Sequence, residues 1–308
     1  MPNTIDRVVV ILGPTCVGKS QASLKLADIL NGEIVSFDSR QIYRYMDIGT
    51  AKPTEEERER IPHHFVDIIS PDGKFTAADF GKKARQVVRQ IVKRDRQPIA
   101  VGGSGLYLRA LTEGFFKGPK ADERIRRKLM REAQEFGEPR LFRKLKTVDP
   151  EAAERIHPHD LVRIIRALEV YEITGKPISL LQRQGDYQPF PLRFVRIGLN
   201  MHRNELYQRI ERRVEEMISG GLAEEVKMLK ERGFSPKLKA LKTVGYQELF
   251  AYLNGEVDLH TAIENIKLNT RHYAKRQLTW FKHDKEVIWF DAEDGGLLEK
   301  ILEHLDTV

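Results

Sequence analysis

Short apolar runs alternate with segments of helical period through the first third of the chain. Arg7-Val8-Val9-Val10-Ile11-Leu12 is apolar without interruption after its first residue, the pattern of a strand buried on both faces. Residues 21–30 are rich in helix formers. Glu33-Ile34-Val35-Ser36-Phe37-Asp38 predicts a second strand, ending in a carboxylate. Residues 76–95 place apolar side chains at helical spacing, and residues 97–103 read as another buried strand that breaks into a glycine turn. Such β-α-β-α order builds a parallel sheet covered by helices, with ligands at the carboxyl ends of its strands. Asp38, Ser39 and Ser104 are therefore expected on one edge of the sheet.

The pattern changes at residue 113. From there to 191 glycine is sparse and strand signals stop. Helical segments carry Lys117, Lys120, Arg124, Arg126, Arg127, Lys128 and Arg131, then Arg140, Arg143, Lys144 and Lys146, interrupted by Glu123, Glu132, Glu135 and Glu138. This predicts a helical insertion with a basic face, which is either an RNA-binding surface or a solvated one. A strand returns at 194–200, followed by helices over 203–219, 221–232, 244–253 and 257–282, a last strand at 287–290 and a closing helix over 295–305. The expected architecture is an α/β core of the P-loop NTPase type, a parallel sheet built from residues 1–112 and 192–308, with a helical insertion domain over 113–191. No apolar run approaches the ~20 residues needed to cross a bilayer, and residues 1–4 do not open a signal peptide, so a soluble cytoplasmic protein with no membrane association is expected. The single Cys16 excludes an internal disulfide and a cysteine-based zinc site. The net charge of +7 and pI near 9.3 favour a polyanionic partner.

Residues 13–20, GPTCVGKS, stand between the first strand and the first helix, the setting a phosphate-binding loop requires. Gly13 and Gly18 allow the tight turn that brings the backbone of Pro14, Thr15, Cys16 and Val17 around an anion, and the following helix N-terminus adds positive partial charge. Lys19 is placed to neutralise the distal phosphates and Ser20 to hold Mg²⁺. A nucleotide polyphosphate or another diphosphate is expected here. The candidate strand at 97–103 ends in Gly102-Gly103-Ser104 rather than in the Asp an ATPase uses, so ATP hydrolysis is weakly supported. Asp38 is placed as a general base, which leaves a phosphate-loop small-molecule kinase open. A nucleotide-gated RNA-binding module is a third reading, in which Asp38 has no role. Of Arg209, Arg212 and Arg213, the helical register aims one guanidinium at the phosphate site. His63-His64 lacks a partner at metal-ligand spacing and reads as a structural or surface pair.

Seven segments, in order, resemble the bacterial tRNA dimethylallyltransferase family: GPTCVGKS at 13–20, DSRQIYRYMDIGTAKP at 38–53, IPHHFVDI at 61–68, VGGSGLYLRAL at 101–111, RIHPHDLVRIIRALEVYEITGKP at 155–177, TVGYQEL at 243–249 and RHYAKRQLTWF at 271–281. The resemblance implies transfer of the dimethylallyl group from dimethylallyl diphosphate to N6 of the adenosine immediately 3′ of the anticodon, in tRNAs reading codons that begin with U. It also implies a P-loop core with an insertion that grips the anticodon stem-loop of tRNA. By this matching Asp38 is the catalytic base, Lys19 and Arg213 meet the diphosphate, and Ser104 orients the amine. Asp38, Ser39, Arg40 and Gln41 form a first tRNA-contacting segment, Arg126 matches a basic residue near the anticodon loop, Arg163 and Arg166 fall in a second segment, and Lys242, Thr243, Gly245, Tyr246 and Gln247 form a third. The family more often has Thr, Gln and Arg where this chain has Ser104, Val162 and Lys242. Mg²⁺ is the implied cofactor, without zinc, and the expected state is a monomer.

Overall fold

The computed structural model describes residues 5–115, 118–184 and 190–308; Lys117 of the basic run and residues 1–4 lie outside them. The chain divides into two compact units, Met1–Thr112 with Phe190–Val308, and Glu113–Pro189.

In the larger unit β1 (Arg7–Leu12) leads into α1 (Lys19–Ile29) and β2 (Gly32–Ser36), then α2 (Glu55–Arg60), β3 (His63–His64), α3 (Ala77–Lys93), β4 (Gln97–Gly102) and α4 (Gly105–Thr112). The smaller unit holds α5 (Glu123–Phe136), α6 (Glu138–Val148), α7 (Pro150–Arg155), α8 (Leu161–Thr174) and α9 (Ile178–Arg183). The chain then returns with β5 (Arg193–Asn200), α10 (Arg203–Ser219), α11 (Leu222–Glu231), α12 (Tyr246–Leu253), α13 (Leu259–Lys282), β6 (Val287–Asp291) and α14 (Leu297–Thr307).

The six strands form one sheet in the order β3-β2-β4-β1-β5-β6, every pair parallel. Val8 to Leu12 and the whole of β2 and β4 are buried, because parallel strands carry helices on both faces. The register places Leu12 opposite Gly102 on one side and Gly198 on the other. Strands β1 and β4 therefore end level, and the loops that follow them leave the sheet at one edge. On α3, Phe80, Ala84, Val88 and Ile91 form the buried stripe, and a capping box between Thr76 and Asp79 starts the helix.

Several boundaries differ from those the sequence predicts. Strand β2 stops at Ser36, although the Phe37 N–H still donates to the Val101 carbonyl at 2.8 Å. Asp38 thus stands on the following loop rather than in the strand. Helix α1 begins at Lys19, because Gly18 turns the chain at φ 100°. Short elements escaped prediction for a common reason. Helix α2 reads EEERER and buries nothing, β3 has two residues, and α4 has eight, so none offers a readable period.

The smaller unit has its own core, centred on Leu129, Leu141, Leu145, Ile164 and Leu168. Buried Asp149 caps α7 through the Ala152 N–H and accepts the Ser179 N–H at 2.9 Å and hydroxyl at 2.6 Å, tying α7 to α9.

Candidate active site

At the carboxyl edge of the sheet the loop after β1 delivers α1 with an open N-terminus. Gly18 caps it without a side-chain hydrogen bond, and no acidic residue occupies its first turn. The first-turn amides therefore lack acceptors and carry the positive end of the helix dipole, a site made for an anion. Pro14 has no N–H, and the Thr15 N–H donates to Gln277 Oε1 at 2.8 Å. The amides left for a ligand start at Cys16, which is held at φ 65°.

Lys19 reaches back along the loop, donating from Nζ to the Pro14 carbonyl at 2.5 Å. Burial pulls its pKa down to about 8; the Asp38 carboxylate opposes that shift and Arg213 adds to it. Lys19 is thus close enough to Asp38 and to Arg213 to feel the charge of each. Asp38 Oδ1 accepts the Arg40 N–H at 2.8 Å. The hydrogen bonds of the described residues leave its Oδ2 without a partner.

These groups line one cavity of about 690 Å³. From the phosphate loop its wall takes Thr15, Cys16, Gly18, Lys19 and Ser20; Asp38, Arg40 and Gln41 follow β2, and Lys242, Thr243 and Gly245 precede α12. The α10 prediction needs correction, because both Arg209 and Arg213 line the cavity while Arg212 is exposed. Their i, i+4 spacing puts the two on one helix face. Gly13, Pro14 and Val17 lie behind the wall and are buried. Ser39, Ser104, Tyr246 and Gln247 do not line the cavity. Ser104 stands beside Gly103 of the wall, its carbonyl accepting the Tyr107 and Leu108 N–H groups at the head of α4. Tyr246 is fully buried and its hydroxyl donates to Glu225 Oε1 at 2.6 Å. Its side chain has no surface to offer a ligand. Instead Glu225 accepts that hydroxyl and the N–H groups of Asp47, Ile48 and Gly49, which clamps the loop after Arg40. The Gln41 amide is spent on Ser36 at the end of β2 and on the Thr50 and Ala51 carbonyls of the same loop.

Sequence reading predicted the helix that is α13 but missed that it contributes Tyr273, Arg276 and Gln277 to the cavity. The only signal was their place in the segment at 271–281. His63 and His64 bond to the Ile61 carbonyl and to Glu33, each at 2.7 Å, as a structural pair does. Ser20 is exposed on the cavity wall, and no cluster of three metal-binding side chains occurs among the described residues. One hydroxyl beside a phosphate site suits an ion ligated mainly by substrate oxygens and water, the habit of Mg²⁺.

In the smaller unit the three arginines singled out from the sequence are not alike. Arg126 and Arg166 both bind Glu169, which is fully buried, at 2.9 and 2.6 Å, and Glu169 also accepts the Asp122 N–H. Burial pushes the Glu169 carboxyl upward, yet these hydrogen bonds hold it below the usual carboxylate range. Both arginines are therefore part of the fold of the unit, whatever else they touch. Arg163 is mostly exposed and, among the described residues, pairs only with Asp160, three residues before it. Lys128, Lys144 and Arg140 are compensated by Glu172 and Glu132. Among the described residues of the basic run, Lys120, Arg124, Arg127, Arg131, Arg143 and Lys146 make no ion pair and leave their charge uncompensated.

A family model described as IPP transferase matches residues 41–284. The chain is 49% identical over 289 residues to tRNA dimethylallyltransferase 2 of Geotalea uraniireducens, covering 94% of this chain and 93% of that protein. The chain belongs to the tRNA dimethylallyltransferase family. It is also 47% identical over 302 residues to the tRNA dimethylallyltransferase of Thermotoga petrophila, covering 97% of each. Among solved structures it resembles the tRNA isopentenylpyrophosphate transferase of Bacillus halodurans, with a TM-score of 0.72 and 43% identity over 98% of this chain and 95% of that one. A eukaryotic dimethylallyltransferase, crystallised acting on tRNA, matches with a TM-score of 0.79 and 29% identity over 98% of this chain and 77% of that one. With a family of prenyl transferases established, the kinase reading is not favoured. No helix among the described residues is long and apolar enough to cross a membrane.

Proposed function

We propose that this protein joins the dimethylallyl group of dimethylallyl diphosphate to N6 of the adenosine 3′ of the anticodon, in tRNAs reading codons that begin with U. The observation that carries the reading is the pairing of an open anion-binding helix terminus with Lys19 and a carboxylate, Asp38, in one cavity. An exocyclic adenine amine is a weak nucleophile, because its lone pair is delocalised into the ring. Rate must come from making the allylic carbon electrophilic, by stabilising the diphosphate that departs. The amides from Cys16 to Ser20, Lys19 and Arg213 are aimed at that charge. The N6 lone pair forms the new bond to the allylic carbon as its bond to the diphosphate oxygen breaks, and Asp38 takes the N6 proton. Ser104 orients the same amine. Mg²⁺, held through Ser20, would supply further charge neutralisation to the diphosphate when bound.

The tRNA meets Arg40, Lys242 and the basic face of the smaller unit, with Arg163 in contact with phosphate. The target base has to leave its stack, which costs a few kcal/mol and less in a single-stranded loop. The enzyme acts as a cytoplasmic monomer. Incubation with labelled dimethylallyl diphosphate and unmodified tRNA tests the reading. Label is expected on the adenosine following the anticodon. Unlabelled tRNA, or γ-phosphate transfer from ATP to a metabolite instead, would refute it.

A further inference from the structure

Gln277 is the one side chain that bridges the phosphate loop to the turn after β4 in the hydrogen bonds of the described residues. It lies on α13, far in sequence from both, and is buried. Its Oε1 accepts the Thr15 N–H at 2.8 Å, and its Nε2 donates to the Gly103 carbonyl at 3.0 Å. The fit is close. A Cβ on Gly103 would sit 2.0 Å from Gln277 Nε2, so any side chain there would displace the Gln277 amide. Thr15 belongs to the segment that receives the diphosphate. Gly103 directly precedes Ser104, assigned above to the amine.

We propose that Gln277 is a positioning residue for the transfer reaction, holding the diphosphate loop and the Ser104 turn at a fixed separation so that the allylic carbon and the amine meet in line. The inference rests on the donor and acceptor assignments of the proposed function. Its physical basis is that a buried amide satisfied at both ends has one arrangement, whereas two loops joined only through solvent have many. Small misplacements of reacting atoms cost rate steeply, and binding of either substrate alone does not depend on that separation. Gln277 touches neither reacting atom in this scheme. Its amide can serve both loops at once, since Thr15 offers a donor and Gly103 an acceptor.

The test uses the full-length protein, labelled dimethylallyl diphosphate and an unmodified anticodon stem-loop. Gln277→Leu keeps the volume and removes both hydrogen bonds. It should lower kcat by at least ~10-fold while the Kd of each substrate, measured alone, stays within about threefold, the split expected when alignment and not binding is lost. Gln277→Glu is the second arm and stands in if the first variant does not fold. Its carboxylate still accepts from Thr15 but faces the Gly103 carbonyl, whereas its protonated form restores a donor. The ratio of its kcat to that of wild type should therefore rise as pH falls. Lys19, Asp38, Arg209, Arg213, Tyr273 and Arg276 share the cavity in both proteins, so their own titrations enter both members of the ratio. An unchanged kcat in Gln277→Leu, a matching loss of affinity for either substrate, or a pH-independent ratio for Gln277→Glu would overturn the positioning role. Wild-type protein that labels no RNA would overturn the proposed function and this inference with it.

Discussion

Replacing Lys19 by Met is expected to make the ligand-free protein more stable while destroying its grip on diphosphate. Lys19 titrates at about 8 in the folded chain instead of 10.5, chiefly because its ammonium is held away from water. At 1.36 kcal/mol per pH unit, that displacement corresponds to about 3 kcal/mol of instability carried at neutral pH. Solvent on the open side of the cavity screens part of it, and the Pro14 carbonyl loses its donor, so about 1–2 kcal/mol should survive as a gain. For 308 residues an unfolding entropy of about 2.1 cal/mol/K per residue turns this into a Tm rise of roughly 2–3 °C. The sign against pH follows from proton binding. Between pH 8 and 10.5 the unfolded chain keeps a proton on Lys19 that the native protein has released, so wild-type stability rises with pH across that window. The advantage of Lys19→Met should accordingly be full below pH 8 and shrink toward nothing near 10.5. Thermal melts of both proteins at pH 7 and pH 10, with and without inorganic diphosphate, measure all of this. Diphosphate should raise the wild-type Tm at pH 7 and leave the variant unmoved. A variant less stable than wild type at pH 7, or a gap that is the same at both pH values, would show that Lys19 is not a desolvated cation.

Asp38→Asn should slow alkylation by ~10²- to 10⁴-fold with tRNA affinity nearly intact, and near-normal single-turnover rates would remove it as the base. Arg163→Ala should lower the salt slope of stem-loop binding by about 0.7–0.9 without changing stability; superimposable curves across a salt series would place the phosphate contact elsewhere. Arg126→Ala behaves differently, because Glu169 loses one of its partners: the smaller unit should lose about 1–2 kcal/mol, read as earlier unfolding in denaturant, and an unchanged midpoint would contradict its role in the fold.

What this sequence determined by itself was whatever a few adjacent residues can express. Strand β1, the loop at 13–20 and α1 lie in one stretch, so apolar continuity, two glycines and a lysine suffice to announce an anion site before any folding is considered. The change from mixed to purely helical period near residue 113 is equally local. Periodicity reports which face of an element is covered, but it is silent about what covers it, and that is where tertiary structure decided. Arg126 and Arg163 look alike in the chain; only the fold brings Arg126 to buried Glu169 and leaves Arg163 in solvent. Tyr246 lies in a segment that reads as a contact region, yet the hydrogen bond to Glu225 turns its side chain inward. Gln277 carries no mark beyond its place in the segment at 271–281. Its meaning comes from Thr15 and Gly103, carried to it by separate crossovers of a parallel sheet, and such partners are set by how layers stack rather than by any spacing along the chain.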